Sequence, residues 1–485
     1  MENSQFLELL KTLGDKEKER FLLFASNFYF NNGRDKALVL PLVLICYEYL
    51  AGNIPQISDK KEVFARLFSN QAFIEGKLEK VMVEAHKVLR TFLLAEQYFS
   101  EENEFQQTLD LAEIVRKRDL KDRHLKLLNK GKELLNQPDA KNAKYYLNQI
   151  CLQSEIHDLE SLNNKKKGDI NIPDLLKSIE MFYHFRRIEL LNRFVLQQMV
   201  TIIPVDEVVS RNLADSNIPE DCLKENCHLL LNAEVLRLLQ KKPLELSDIQ
   251  GMLEKIKYYE TLLDWEARLG FYTYLRNFCI IVISNSDNPQ PFMELQFEIM
   301  MNNLQDGYLH YEGKLPPARY SSVCSMAIAV GKSDWANNFI EQYKNEIHGE
   351  NEHQDIYRYN KAVYLFAIQD FESCLDYIPE TSSFADILLL SKRLELKALY
   401  ELNSDLLPYK LNAFKMFLSR TSGKVLSENI QQKNLDFANL LLQLTKSIPG
   451  DKKRVAQLLK RIQEKNQPWE WQWLKEKAEA LKKRR

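Results

Sequence analysis

Apolar side chains recur at spacings of three and four residues along most of this chain. Near the N-terminus, Phe6, Leu9, Leu10 and Leu13 follow this spacing, and Gly14 then provides a helix stop. Residues three and four apart share one face of an α-helix, so the pattern predicts helices that each bury one stripe. No segment combines strict apolar and polar alternation with hairpin turns, which would indicate β-strands. The chain is therefore predicted to be all-α.

Beyond residue 100 the pattern predicts one helix after another, separated by short polar joints. The clearest joint is 161–172, which contains three consecutive lysines and a glycine. The predicted helical stretches are 105–135, 140–160, 173–201, 219–241 and 248–284.

A repeat is visible in the C-terminal half. Three copies of an acid followed by a bulky apolar residue, beginning at Asp334, Asp370 and Asp405, lie 36 and 35 residues apart. This period fits one helix pair per repeat, with each acid expected to cap a helix. Because each pair alone exposes an apolar face, neighbouring pairs are expected to stack into a superhelix with a concave and a convex surface.

One copy carries further residues of a known pattern. Ala362, Phe371, Cys374 and Pro379 supply a small residue, an aromatic, a second small residue and a proline. In these positions the segment 317–420 resembles the tetratricopeptide repeats, although the other two copies depart from the pattern. The resemblance implies a right-handed superhelical array of antiparallel helix pairs, that is, a tetratricopeptide-like α-solenoid.

A second resemblance involves both ends of the chain. Ser26 is followed by Tyr29-Phe30-Asn31, and Trp473-Leu474 is followed by Lys477. The chain is similar here to helical-repeat proteins that have an N-terminal Ser-Pro-Tyr-Phe-Asn signature and a closing Trp-Leu-x-x-Lys helix. The proline of that signature is missing, and two extra residues intervene. The resemblance implies a relationship over the full length and no known activity.

These patterns together predict four regions. Residues 1–100 form an N-terminal helical domain, and 101–315 form an irregular helical-repeat region. Residues 316–420 contain the tetratricopeptide-like repeats, and 421–485 form C-terminal capping helices.

Composition and charge restrict the class of protein. The 485 residues include only 14 glycines and 15 prolines, and 45% are hydrophobic, as expected for a folded helical chain. The net charge of −2 gives no overall attraction to nucleic acid or lipid, although residues 451–485 hold 12 basic and 5 acidic residues. The longest apolar run, 37–46, is interrupted by Pro41 and is too short to span a membrane. Residues 1–13 lack the features of a secretory signal, so we expect a cytoplasmic protein without membrane insertion.

Candidate catalytic and metal-binding motifs are weak. Gly331-Lys332-Ser333 ends like a phosphate-binding loop, but Met326 occupies the place of the earlier glycine, so we interpret the segment as a turn between helices. Cys222, Cys227 and His228 lack the fourth ligand of a closed zinc site, which favours buried thiols and a histidine on a helix surface. We expect no cofactor, no metal and no enzymatic activity.

The remaining candidates concern binding. If the repeats follow tetratricopeptide geometry, their first helices line a concave, apolar wall that would hold an amphipathic helix or extended peptide, supplied by a partner or by this chain itself. The expected wall residues are Tyr320, Val323, Tyr359, Val363 and Leu394.

The closing helix adds two more candidates. Trp471, Leu474, Ala478 and Leu481 form its main apolar stripe, and Trp469 and Trp473 lie on the other side. Those two tryptophans are expected either to pack under a neighbouring element or to form an exposed anchor for a partner.

The leading functional prediction is a non-enzymatic scaffold that binds a protein or peptide on a curved helical-repeat surface. One alternative is a nucleic-acid-associated factor that uses the basic stretch 116–132 and the basic C-terminal tail. In that case basic side chains would have to remain available, whereas a solvated helix face beside acidic residues 101–104 is the simpler interpretation. A second alternative is an enzyme whose site residues lie far apart in the sequence.

Overall fold

A computed structural model describes residues 4–483 except 53–59, 70, 137–140, 164–170, 201–204, 216, 287, 350–352, 381–384, 422–427, 448–451 and 465–468. The chain divides into two compact units, Met1–Arg187 and Ile188–Arg485. The division falls within one long helix, and each unit is described by itself.

The first unit consists of helices joined by short connections. They are α1 (Gln5–Lys11), α2 (Asp15–Ser26), α3 (Lys36–Leu50), α4 (Lys60–Leu67), α5 (Lys77–Tyr98), α6 (Glu104–Lys117), α7 (Lys121–Leu135), α8 (Ala143–Asn163) and the beginning of α9 (Ile172–Val200).

The described residues of the second unit also form helices joined by short connections. Its first helices are α10 (Glu207–Ala214), α11 (Glu220–Glu225), α12 (Cys227–Gln240), α13 (Leu246–Tyr259), α14 (Trp265–Asn285) and α15 (Gln290–Gln305). The later ones are α16 (Pro317–Ala329), α17 (Ser333–Tyr343), α18 (His353–Ala367), α19 (Phe371–Tyr377), α20 (Ala385–Glu401), α21 (Leu407–Arg420), α22 (Glu428–Thr445), α23 (Lys452–Glu464) and α24 (Trp471–Lys483).

The all-α prediction is confirmed for the described residues. They contain no β-strand, and the extended pairings among them are the isolated bridges Tyr311 to Lys314 and Leu315 to Ile347. In this part of the chain, the helices are all too short or too polar to cross a bilayer.

The N-terminal helices surround one apolar core. Helix α5 packs against α1, α2 and α3, and the Phe92 ring lies 5.2 Å from the Phe21 ring between centroids. Phe6, Leu42 and Leu89 are buried in the same cluster. The three-four spacing noted around Phe6 therefore produces the buried stripe expected of a packed helix.

In the second unit, helices from α16 to α21 pack in a regular order. Helix α16 contacts α17 and α18, α18 contacts α19 and α20, and α20 contacts α21. Each first helix thus touches both its own partner and the first helix of the following pair. Apolar clusters fill these contacts, one around Tyr320 and Phe339 and another around Ala362 and Cys374.

The predicted helices are present, but three of the long stretches contain breaks that the pattern did not show. The stretch 105–135 is divided into α6 and α7, which end and begin at Lys117 and Lys121. The stretch 219–241 is interrupted at Asn226, whose Oδ1 accepts a 3.0 Å bond from the backbone N–H of Leu229 and so starts a new helix. The stretch 248–284 is interrupted at Asp264, which accepts a 2.7 Å bond from Ala267. These caps allow the chain to turn without a glycine or proline.

The repeat acids differ in their roles. Asp370 caps α19 as expected, with its side chain accepting a 3.2 Å bond from the backbone N–H of Ser373. Asp334 lies inside the first turn of α17, and Asp405 precedes the start of α21 without capping it. The expectation of three equivalent caps was therefore wrong, because α17 begins two residues earlier and α21 one residue later than the pattern requires.

The Gly331-Lys332-Ser333 segment forms the turn between α16 and α17, which confirms the interpretation from sequence. Gly331 adopts a φ of +76°, and the Lys332 N–H donates a 2.8 Å bond to the carbonyl oxygen of Ala327. This bond from the residue after the glycine back into the last helical turn closes the end of α16.

Candidate interaction sites

Three of the five predicted wall residues lie inside the packing between helices. Tyr320, Val323 and Leu394 are buried, and the Tyr320 hydroxyl donates a 3.0 Å bond to the carbonyl oxygen of Ile340 on the second helix of the same pair. These residues therefore do not line an open groove, and the prediction for them is corrected. The apolar stripe of each first helix packs against the neighbouring helices, because α18 contacts both α16 and α20.

The other two wall residues remain partly accessible. Tyr359 and Val363 on α18 are half-buried at the edge of the cluster that contains Ala362. Burial raises the pKa of Tyr359 well above its usual value. The accessible part of the predicted wall is therefore limited to α18.

Trp473 packs against α20 within the second unit and does not serve as an exposed anchor. Its indole Nε1 donates a 2.9 Å bond to Oε1 of Glu401 at the end of α20. Its ring lies edge-on to Tyr400, with 5.4 Å between centroids, and Lys477 forms a 2.6 Å ion pair with the same Glu401 oxygen. Helix α24 is therefore joined to α20 through the Glu401 carboxylate, a contact that the sequence spacing did not indicate.

Trp469 has a different environment. It lies two residues before α24 and is 39% exposed. The guanidinium carbon of Arg393 is 4.8 Å from its ring centroid, and Nζ of Lys433 is 5.8 Å from it. Two cations within cation–π distance orient the ring while a large part of its surface remains accessible.

A network of charges behind Trp469 fixes this arrangement. Glu470 lies 3.5 Å from Arg393 Nε and 2.8 Å from Lys397 Nζ, measured from its two carboxylate oxygens. Arg393 Nη1 also donates a 2.9 Å bond to Oδ1 of Asn434 on α22. Glu470 has a φ of +59°, a conformation that non-glycine residues rarely adopt and that these bonds stabilise.

The network shifts the pKa values of both charge types. Burial lowers the pKa of Arg393, although Glu470 opposes this effect. Burial alone would raise the pKa of Glu470, but the charges of Lys397 and Arg393 outweigh it and hold the pKa below its usual value. Glu470 is therefore ionised at neutral pH and offsets the buried cations.

The surroundings of Trp469 have an excess of positive charge. Arg393, Lys397 and Lys433 lie around it, whereas Glu470 is the carboxylate paired directly with the first two. Lys433 forms no ion pair with any residue in the described ranges. The patch consisting of Trp469, Arg393 and Lys433 is called the tryptophan patch below, and it suits an anionic group next to an apolar one.

In the first unit, a connection between α2 and α3 displays aromatic side chains. Asn31 is buried, and its Nδ2 donates 2.9 Å bonds to the carbonyl oxygens of both Ala25 and Lys36. With the turn held in this way, Phe28 is 73% and Tyr29 is 80% exposed. Tyr29 and Asn31 were quoted above only as part of a resemblance, and Phe28 was not singled out. The signal for a structured turn was the run of aromatics from Phe28 to Phe30, followed by Asn31.

The basic stretch 116–132 is partly neutralised within its own unit. Arg116 lies 3.0 Å from Glu155 and 3.3 Å from Asp158, and Lys130 lies 2.6 Å from Glu104. The pairing with Glu104 confirms the interpretation as a helix face beside an acidic segment. Of the basic C-terminal tail, residues 484 and 485 lie outside the described residues.

The prediction for Cys222, Cys227 and His228 was wrong, because both cysteines are half-buried and the histidine does not lie on a helix surface. The imidazole is buried and lies edge-on to Phe271, with 5.4 Å between ring centroids, so it does not belong to a helix surface. Burial lowers its pKa to about 4.

Comparison with protein-family models, with curated proteins and with solved structures finds no match for this chain.

Proposed function

We propose that this protein is a non-enzymatic scaffold that binds a partner protein or peptide on an array of stacked helix pairs. The order of contacts from α16 to α21, in which first helices touch one another, supports a tetratricopeptide-like α-solenoid for that segment. In such an array the neighbouring pairs hide each other's apolar faces and leave the remaining surface for recognition.

The observation that carries the proposal is the tryptophan patch. Tryptophan and arginine are the residue types that most often dominate binding energy at protein interfaces. Trp469 is exposed although Arg393 and the half-buried Glu470 hold its surroundings in place, so binding needs little further ordering. We propose that the bound segment places an apolar side chain on Trp469 and a carboxylate near Lys433.

The experiment compares the full-length protein with Trp469→Ser in affinity capture from its native cells, followed by quantitative identification of the retained proteins. Tyr409→Ser is the matched control, because Tyr409 is a 72% exposed aromatic on α21 of the same unit. The wild type and Tyr409→Ser should retain the same partner, and Trp469→Ser should lose it. Equal retention by all three proteins, with unchanged circular dichroism, would contradict the proposal.

The ion pairs of Arg116 and Lys130 reduce the charge available for nucleic acid, so the scaffold is favoured over a nucleic-acid-associated factor. Filter binding with single- and double-stranded nucleic acid at low and moderate salt tests this preference. Salt-sensitive binding that Trp469→Ser leaves intact would favour the alternative.

A further inference from the structure

A cavity of about 510 Å³ lies in the second unit, between the end of α12, the connection from α12 to α13, and parts of α14 and α15. Its apolar walls include Leu239 on α12, Leu244 in the connection, Val282 on α14 and Phe292 on α15. Ligand-binding cavities in proteins usually measure roughly 300–1,000 Å³ and have mostly apolar walls with a few polar groups. The size and the lining of this cavity are therefore those of a binding site for a small organic molecule.

Packing within the second unit holds the walls of the cavity in place. Helix α14 contacts both α12 and α15, and Leu239 and Phe278 are buried in the apolar cluster that joins these helices. Phe278 and Val282 are four residues apart, so they share one face of α14. Leu244, Val282 and Phe292 are only half-buried, so they keep accessible apolar surface for a ligand. Because the walls are already packed, an alkyl chain can enter with little reordering of the protein.

Two adjacent lysines of the connection also line the cavity, and they differ in their charge environment. Nζ of Lys241 lies 2.8 Å and 2.6 Å from the two carboxylate oxygens of Asp248, which compensates its charge. Lys242 is exposed and forms no ion pair with any residue that the structure describes. The described lining residues include no acid. The cavity therefore presents one uncompensated positive charge, that of Lys242, beside its apolar walls.

Ser286, which follows α14, provides a neutral polar group in the same lining. Its hydroxyl oxygen accepts a 3.1 Å bond from the backbone N–H of Asn288. The hydroxyl group donates to no acceptor within the described ranges, so it can donate a hydrogen bond to a ligand. One cation and one hydroxyl donor match a singly charged headgroup better than a phosphate monoester, which carries nearly two charges at neutral pH.

We propose that this cavity binds a small amphipathic carboxylate, with its alkyl chain between α12, α14 and α15 and its carboxylate beside Lys242 and Ser286. Burial of the alkyl chain supplies most of the affinity, since each buried methylene strengthens binding by about fourfold. The ion pair with Lys242 selects the headgroup, because an exposed pair adds little energy yet the lysine repels a cation at the same place. This site is separate from the tryptophan patch, and the inference goes beyond the proposed scaffold function without depending on it.

The test measures direct binding to the full-length protein by isothermal titration calorimetry at neutral pH, below the micelle-forming concentration of each amphiphile. Octanoate, nonanoate and decanoate are titrated as carboxylates of increasing chain length. Decylammonium and decyl phosphate then test the headgroup at the same chain length as decanoate. We expect saturable binding of one carboxylate per protein, an affinity that rises from octanoate to decanoate, and weaker binding of both other decyl compounds.

Lys242→Gln should weaken decanoate binding at least about threefold and reduce the preference over decylammonium, because it removes the uncompensated charge. Lys257→Gln, at an exposed lysine on α13 outside the lining, is the matched control and should bind decanoate as the wild type does. Val282→Phe should weaken binding of all three carboxylates, since the larger ring occupies the space of the alkyl chain. Its control is Ile280→Phe, at an exposed position on α14 outside the lining, which should leave binding unchanged.

The proposal is overturned if the wild type shows no saturable binding of the three carboxylates, if their affinities are equal, or if either other decyl compound binds as tightly as decanoate. Unchanged decanoate affinity in Lys242→Gln would overturn the headgroup assignment, and unchanged affinity in Val282→Phe would overturn the assignment to this cavity. If Val282→Phe does not fold, Lys242→Gln decides, because Lys242 is exposed and its replacement leaves the apolar walls intact.

Discussion

Trp473 Nε1 donates a 2.9 Å hydrogen bond to Oε1 of Glu401, and this contact joins the closing helix α24 to the end of α20. Lys477, one helical turn after Trp473, binds the same carboxylate. Trp469, which precedes α24, and Trp473, which lies in its first turn, therefore have separate roles. Trp473 fixes the helix, and Trp469 remains accessible.

The first prediction concerns this fixation. Trp473→Ala should destabilise the second unit by about 2–3 kcal/mol, because it removes a half-buried aromatic and leaves Glu401 without its indole donor. Hydrogen exchange should become faster in α24. Trp469→Ala is the control and should leave exchange in α24 almost unchanged, so equal acceleration in both variants would contradict the assignment.

The second prediction concerns Glu470. Glu470→Gln removes the counter-charge of buried Arg393 and half-buried Lys397, and we expect a loss of about 2–4 kcal/mol in the free energy of unfolding. Because the pKa of Glu470 is lowered in the folded state, its contribution is present above the unfolded-state pKa of about 4.3 and is lost as the pH falls through the folded-state pKa. In Glu470→Gln, the free energy of unfolding should therefore decrease less than in the wild type as the pH falls.

Denaturant unfolding at pH 7 and at pH 3.5 measures both effects. Glu479→Gln, at an exposed position on α24, is the matched control and should unfold as the wild type does. The double variant Glu470→Gln with Arg393→Met should recover part of the loss, since no buried guanidinium is then left unpaired. If the double variant is as unstable as the sum of the single ones, the ion pair is not the cause.

The third prediction concerns His228. Its folded-state pKa of about 4 lies below the ordinary value of about 6.5, so the unfolded chain takes up a proton first as the pH falls. The stability from this group is complete above pH 6.5 and decreases down to about pH 4, where the loss reaches roughly 3 kcal/mol. His228→Leu should therefore unfold with a weaker dependence on pH between 7 and 5 than the wild type.

Phe271→Leu is the matched control for this experiment. It removes the aromatic neighbour of His228 but keeps the titrating group. It should lower stability at every pH and leave the dependence on pH between 7 and 5 similar to that of the wild type. A pH dependence in His228→Leu as steep as in the wild type would refute the role of burial.

The fourth prediction concerns the aromatic turn of the first unit. Asn31→Ala leaves the carbonyl oxygens of Ala25 and Lys36 without their shared donor and should cost about 1–3 kcal/mol. Tyr29→Ser, at a position that is 80% exposed, should change stability by no more than about 0.5 kcal/mol. Limited proteolysis should cut the turn faster in Asn31→Ala only. Equal cleavage of both variants would show that Asn31 does not hold the turn.

The helical class and the approximate helix positions followed from local sequence. The three-four spacing around Phe6 and the joint at Gly331 each depend on residues within one or two helical turns, and local geometry decides such features. Breaks at Asn226 and Asp264 were also encoded locally as cap residues, although the long apolar periodicity on both sides concealed them.

The candidate sites, in contrast, were decided by tertiary packing. The expected tetratricopeptide geometry placed Tyr320 and Leu394 on one concave wall, but the contacts of α18 with α16 and α20 show that these residues are buried between helices. Glu470 meets Lys397 across 73 positions of sequence, and Arg393 meets Asn434 across 41. Periodicity within a helix determines which residues share a face. The element that covers this face comes from a distant part of the sequence, and a local pattern cannot identify it.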